Sequence, residues 1–505
     1  MNFLSLNILI FSPLLAAIII ASPLFGSNAI YIRRFSKFFA SFHFLYSLIF
    51  AVSQKSSLEP FYSEINLFGK NWLESYGITA ALGLDGFTSL LVVFTSLIFL
   101  FALIISKSTI RYKHKMYYSL IFCLLTTTLG IFSAKDTFFF LMFWFAELIP
   151  LYLLISEWGG EKSKDAAMKY LIFSATGGIL ILSSVIGLYY YGFTANEALS
   201  SNIEFLRVYT SDEICPYILQ ILMFFGLFAG FAIKLPVFPF HTPFIDSQTE
   251  SQTPVSILLS AVLIKTGAYG LIKFNLSLFP EIFTKIAPYI MIIALINIIW
   301  ASLAAFKQKN IKKMIAYYSV VQMGLFLLGI SSLNKAGLDG SVLLMFSHAL
   351  IVTGLYLITA IIYQNTKSYS ILEISGLGKC MPNLMICAFI ISFAATGIPF
   401  TCGFPADFLI YTGSVCADNG IIFKIISAAA VCGILANASF ILNFFHSIFC
   451  GNLKFQNKNC KDMYGHKAVI TIIVVVCIIA VGIFPDSLMS VYGSVSDTFI
   501  EILRV

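Results

Sequence analysis

Charge is what this chain of 505 residues lacks most: Asp, Glu, Lys and Arg make up 11% of it, against 59% hydrophobic residues. A soluble domain is about a quarter charged, and soluble packing cannot hide this much apolar surface. The shortage excludes a water-soluble globular protein and points to an integral membrane protein. Phosphate-cradling glycine patterns are missing too; neither GxGxxG nor GxxxxGK[ST] occurs, which argues against a bound dinucleotide or ATP. The ten cysteines are scattered, with no CxxC and no Cys/His cluster. Iron–sulfur, zinc and thioredoxin-type chemistry are therefore not expected, nor any cofactor held by this chain.

What the chain has is apolar runs of helix-spanning length, fourteen of them from 5–25 to 467–484. Each is near the roughly 20 residues that cross a bilayer, and the runs are continuous rather than alternating, so helices are expected and not a barrel. The expected fold is an all-α polytopic membrane protein. The first run has no basic residue before it, and "RRFSK" follows at 33–37; a secretory signal has the opposite order. An uncleaved first helix is expected. Of the 31 Lys and Arg, 20 fall in the odd-numbered loops, such as "KSTIRYKHK" (107–115), "KQKNIKK" (307–313) and the stretch holding Lys454, Lys458, Lys461 and Lys467. The positive-inside rule then places both termini on the outer side. These loops account for the net charge of +7 without any nucleic acid.

Two runs are long and interrupted. The seventh carries Pro236, Pro239 and Pro243; the twelfth carries Gly397, Pro399, Gly403 and Pro405. Five spans separate them. If five helices form a unit, spans 4–8 and 9–13 are two copies, and an odd number of helices inverts the second. Paired Gly/Pro-broken segments are a pointer to a transport site at the membrane midplane. The expected organisation is N-terminal helices over 1–114, a first five-helix repeat over 115–274, its inverted copy over 275–450, and a loop with helix 14 over 451–505.

Four ionisable residues fall deep inside runs: Glu147, Lys234, Lys265 and Asp407. A charge at a helix centre costs about 2.5–3.5 kcal/mol on insertion scales, so all four should face an interior holding partners or water. Lys234 stands just before Pro236, and a proline strips a neighbouring carbonyl of its donor; carbonyls and water at such a break can solvate an ammonium. A buried lysine can be brought near neutrality, and a carboxylate can hold it charged; arginine cannot be tuned in this way. A carboxylate, two lysines and a second carboxylate suit a proton path, with Glu147 holding Lys234. A single Lys–Glu pin between helices is the plain alternative. His348 and His241 are candidate relay groups, although an interior hydrogen-bonded role suits either. Asp85 is read as a helix start, Lys135 and Asp136 as interfacial, and "DSQTESQTP" (246–254) as a cap or a water access.

At these residues the chain resembles a known family. "FFFLMFWFAELIPLYLLISEWGGEKSKDAAMKYLIFSATGG", "FAGFAIKLPVFPFHTPF", "SILLSAVLIKTGAYGLIKF", "FSHALIVTGLYLI" and "ATGIPFTCGFPADFLIYTG" are similar to the antiporter-like membrane subunits of respiratory complex I, the proton-pumping NADH:quinone oxidoreductase, nearest to its subunit M type. The resemblance spans roughly 80–450. It implies fourteen helices in two inverted five-helix repeats, Glu147 and Lys234 as input pair, Lys265 as central relay and Asp407 as output-side acid. It also implies flavin, iron–sulfur clusters and quinone in partner subunits, other membrane subunits as neighbours, and a bacterial or organellar inner membrane as the place. Three departures stand out: Asp407 replaces the family's glutamate, "IDSQ" replaces "PDAH" after the first break, and a histidine often found near Gln322 is absent. A subunit of a multi-chain sodium/proton antiporter is the competing reading, disfavoured by the carboxylate at Asp407; a non-transporting scaffold is the third.

Overall fold

In the computed structural model the described residues run from 4 to 504, except 27, 55–60, 65–76, 79–80, 107–109, 111, 195–199, 204, 211–213, 418–420 and 454–460. Lys107, Arg111, Lys454 and Lys458 of the basic loops lie outside them. The architecture is helical: α1 (Leu4–Ala21), α2 (Ala29–Gln54), α3 (Gly86–Ser106), α4 (His114–Ser133), α5 (Thr137–Trp158), α6 (Ser163–Thr194), α7 (Tyr217–Lys234) and α8 (Thr242–Glu250) come first. Then follow α9 (Thr253–Leu258), α10 (Ile264–Gly270), α11 (Pro280–Phe306), α12 (Ile311–Ile330), α13 (Lys335–Thr366), α14 (Pro382–Ala395), α15 (Gly403–Val415), α16 (Ile421–Phe449), α17 (Gly465–Ile483) and α18 (Asp486–Arg504). A two-stranded antiparallel ribbon, β1 (Phe61–Glu64) with β2 (Ala81–Leu84), precedes α3.

Twelve helical segments among the described residues are long and apolar enough to cross a membrane, and two shorter apolar helices, Leu6–Ala21 and Pro382–Ala395, stand where the first and twelfth runs were read. Helices 9 and 10 count as one segment, 253–276, because two wide π-type turns, Leu259–Leu263 and Leu271–Leu276, continue the rod. This segment and α13 are buried along their whole apolar length, whereas α2 and α17 bury about a quarter of theirs. The two central rods thus carry Lys265 and His348, and the outer helices present Leu15, Ile18, Phe38, Ile49 and Val476 outward.

Both breaks form where the proline and glycine patterns put them. α7 ends at Lys234, and the chain turns through Leu235–His241 before α8. Val237 N–H turns back to Ala232 O at 3.0 Å, and Phe238 N–H donates to Asn297 Oδ1 of α11 at 2.8 Å. A buried asparagine thus satisfies an amide that the break frees, as the apolar interior requires. At the second break Asn437 of α16 donates to Ala395 O at 3.0 Å. Gly397 takes φ +71°, a conformation glycine adopts without penalty, and a Cβ there would stand 2.7 Å from Asp407 Oδ2. Gly403 lets the second half-helix close on the first: its Cβ would meet Ala394 O at 2.1 Å.

Three readings differ from this structure. The tail was read as a loop and one helix, but α18 follows α17 and packs its amphipathic face on α3 and α13. Lys135 and Asp136 stand at the start of α5 yet are buried, with Lys135 paired to Asp85 at 3.6 Å and Asp136 accepting from Phe138 N–H at 2.8 Å. Short loop folds over 200–203 cover them, through Ser201 on Asp136. Asp85 does start α3, accepting from Thr88 N–H at 2.8 Å. The third difference concerns Asp407 and belongs to the site.

Candidate functional site

Glu147 lies mid-way along α5, three residues after Trp144, so both side chains share one helix face. Opposite them, Lys234 is the last residue of α7, where unpaired carbonyls and the helix dipole favour a cation. Lys234 Nζ donates to Glu147 Oε2 at 2.8 Å, and neither side chain has any solvent exposure. The same ammonium sits 3.8 Å from the Trp144 ring centroid. Among the described residues Glu147 Oε1 has no hydrogen-bond partner, so the carboxylate keeps one open acceptor. A buried pair held in this way can change its charge state only if a proton is brought to it or removed.

Lys265 is placed differently. It lies between the two wide turns of segment 253–276, and π-type turns cluster at functional sites because they break the i to i−4 ladder. The carbonyl of Ser260 accepts from Lys265 Nζ at 2.7 Å, and His348 Nδ1 of α13 lies 2.6 Å from the same nitrogen. Among the described residues Lys265 has no carboxylate partner. Which of the two nitrogens donates depends on the imidazole tautomer and on the charge of the amine: an ammonium or a neutral amine can donate to the imine nitrogen, and an imidazole N–H can donate to a neutral amine. The far ring nitrogen, Nε2, is buried and has no partner among the described residues, which leaves the imidazole an open donor or acceptor on its other side.

A buried polar chain reaches this pair from the end of the molecule where α8 closes. Lys312 donates to Ser251 O; Ser251 and Ser256 hydroxyls lie 2.8 Å apart, and Ser256 donates to Gln248 O at 3.2 Å. Gln248 Nε2 then donates to Ser260 Oγ at 2.6 Å, and Tyr356 donates to Gln248 Oε1 at 2.8 Å. Beside its outer end lies a cavity of about 470 Å³ lined by Lys162, Asp165, Lys169, Asp246, Glu250 and Lys313. Sequence reasoning missed Gln248, Ser260, Tyr356 and Lys312. The polar run "DSQTESQTP" was their one signal, since Gln248 and Ser251 sit in it.

Asp407 departs from the expectation that all four residues face an interior holding partners or water. It lines a recess of about 400 Å³ with Gly397, Phe404, Phe408 and Tyr411, and Phe404 and Phe408 are 37% and 55% exposed. The recess therefore reaches the lateral face of the bundle, because the half-helix α15 lies at the periphery. Asp407 Oδ1 itself is buried and unpartnered. Tyr318 of α12 adjoins the centre: its ring lies 5.7 Å from the His348 ring. His241 joins neither cluster. It is buried against Trp300, ring centroids 4.4 Å apart, and both its ring nitrogens lack partners. No hydrogen bond among the described residues links Lys234 to Lys265; Gly267 packs there, its Cβ position 3.0 Å from Phe231 O and Leu235 N. No group of three or more His, Cys, Asp or Glu among the described residues is placed to hold a metal.

Comparison with known proteins identifies the family and the fold. A family profile described as the membrane part of NADH:quinone oxidoreductase and Mrp antiporters matches residues 134–433. The chain is 33% identical over 428 residues to "NAD(P)H-quinone oxidoreductase chain 4 2" of Thermosynechococcus vestitus, covering 83% of this chain and 78% of that one. It is 33% identical over 439 residues to the chloroplast "NAD(P)H-quinone oxidoreductase chain 4" of Mesostigma viride, covering 86% and 85%. Among solved structures, a chain of respiratory complex I from Thermus thermophilus superposes with TM-score 0.87 at 23% identity over 99% of both chains. A chain of the Mrp complex from Dietzia does so with TM-score 0.86 at 18% identity over 100% of both; at these identities the likeness concerns the fold.

Proposed function

Because the chain belongs to the NADH:quinone oxidoreductase/Mrp antiporter membrane family, we propose that it is a proton-translocating membrane subunit of a quinone-reducing complex. Electron transfer takes place in partner subunits that hold flavin, iron–sulfur clusters and quinone; this chain carries no electron site. The observation that carries the proposal is the contact of Lys265 Nζ with His348 Nδ1, 2.6 Å apart, inside a rod broken by wide turns. A structural pin would pair Lys265 with an acid. A neutral imidazole instead can take the proton and pass it on from its open Nε2.

The residues act as follows. Glu147 and Lys234 form a buried ion pair whose stability depends on the charge beside it. A redox-linked change at a neighbouring subunit shifts that pair, and the field at Lys265 shifts with it; each pKa unit moved corresponds to about 1.36 kcal/mol. The serine–glutamine chain from Lys312 orders the approach to Lys265, and the Gln248 amide holds Ser260 in place. His348 hands the proton towards Tyr318 and Asp407, the output-side acid. His241 lies outside the path. The two breaks and their five-span separation support two inverted units over 115–274 and 275–450, and the basic-loop asymmetry supports both termini on the outer side.

The test uses the assembled complex in liposomes, with electron transfer and acidification measured together. Lys265→Met and Glu147→Gln are expected to lower protons moved per electron pair at least tenfold in assembled complex. Wild-type pumping by both would overturn the reading, and so would sodium–proton exchange without NADH or quinone.

A further inference from the structure

Away from the relay, a recess of about 250 Å³ opens where α11 ends, α12 starts and α16 finishes. Its floor is apolar and buried: Phe440 and Phe444, one turn apart on α16, with Met314 of α12. Its rim is polar and cationic: Lys307, Lys309, Gln308 and Asn443. Both lysines are exposed, and neither forms an ion pair among the described residues. Phe306 and Leu372 at its edge are 45% and 57% exposed, and Leu303, one turn back on α11, is 57% exposed. The recess thus runs from a basic rim at the end of three membrane helices onto their apolar flank.

We propose that this recess binds an anionic phospholipid, with the phosphate between Lys307 and Lys309 and an acyl chain over Phe440, Phe444 and Leu303. Basic loops at the ends of spans fix topology wherever they fall, and that role needs no recess. A recess with two unpaired cations above an aromatic floor matches an amphiphile with a negative head. A free phosphate would meet the cations and leave the floor uncovered. A zwitterionic lipid would cover the floor and gain less from the cations, since its own ammonium opposes them.

The experiment is photo-crosslinking in the intact complex, reconstituted in nanodiscs with diazirine-bearing phosphatidylglycerol or phosphatidylcholine, and peptide mapping of the adducts. Adducts on 303–314 and 440–447 are expected to favour phosphatidylglycerol. Lys307→Gln and Lys309→Gln are each expected to reduce them roughly fivefold and together about twentyfold, while Lys367→Gln, another exposed cation near a helix end, leaves them unchanged. Equal labelling by both lipids overturns the proposal. Displacement by millimolar inorganic phosphate, which would mark a plain anion site, overturns it, as does protection of the recess by a neighbouring subunit. The readout is independent of pumping, so its failure leaves the proposed function standing.

Discussion

At the residue scale the question is what a buried charge costs and what makes it tolerable. Removing one member of a buried pair leaves the other uncompensated, at a cost of about 3–5 kcal/mol, whereas replacing both by apolar groups can be nearly neutral. Lys234 and Glu147, at 2.8 Å and fully buried, meet the conditions of that rule. Glu147→Ala should therefore reduce the amount of assembled subunit, read on native gels, while Glu147→Met with Lys234→Met should restore assembly and still not pump. Recovery of pumping with assembly would mean that the pair is only a pin. Asp85 offers a pH-dependent case outside the spans. Burial works to raise its pKa, but Lys135, Lys273 and the bonds from Thr88 prevail and hold it below the ordinary value of 3.8. A carboxyl whose folded pKa is depressed contributes stability above its unfolded pKa and loses it as pH falls through the folded value. Asp85→Asn should therefore lower the thermal midpoint at neutral pH, and the gap from the native chain should shrink as pH falls below about 4. A constant gap across that range would mean that Asp85 acts by its hydrogen bonds alone.

At the element scale, the interrupted helices were legible and the wide turns were not. Proline and glycine declare a break in the sequence itself, because they change what the backbone can do. Segment 253–276 contains no residue that forces a π-type turn, and its apolar pattern reads as one plain helix; only packing against α13 and α12 puts Ser260 O and His348 on Lys265. α18 escaped for a related reason. Its inward residues Leu488, Tyr492, Ser496 and Phe499 fall at helical spacing, but Asp486 and Ser487 precede them and Ser490 and Asp497 lie between them. A search for continuous apolar runs passes over such a helix. Close approach is the testable part of the second break. Gly403 faces the carbonyl of Ala394, a backbone atom that cannot rotate away. Gly403→Ala should force α14 and α15 apart and cost about 1–3 kcal/mol, measured as a lower thermal midpoint in detergent; an unchanged midpoint would show that the break yields freely.

At the scale of the whole molecule, one flank opens into a recess. Of the four ionisable residues read deep inside the apolar runs, Glu147, Lys234 and Lys265 are buried among the chain's own helices, as the cost of charge in hydrocarbon leads one to expect. Asp407 alone sits in a recess that reaches the lateral face, and no sequence pattern separates an inward from a sideways carboxylate on a broken helix. Lipid cannot satisfy its unpartnered Oδ1, and α15 shows Phe404 and Phe408 outward beside it. Solved relatives of this fold occur within complexes of several membrane chains. The flank bearing Phe408 should thus be an interface, with a neighbouring membrane subunit closing the recess and supplying a partner for Asp407 Oδ1. A cysteine introduced at Phe408 should cross-link to that subunit in the intact complex, while one at Ile179, 58% exposed on α6, should not reach the same neighbour. Modification of Phe408→Cys by lipid-phase maleimide at the rate of an open site, with the complex assembled and pumping, would show that the acid faces the bilayer, and the output step would then have to leave through some other group.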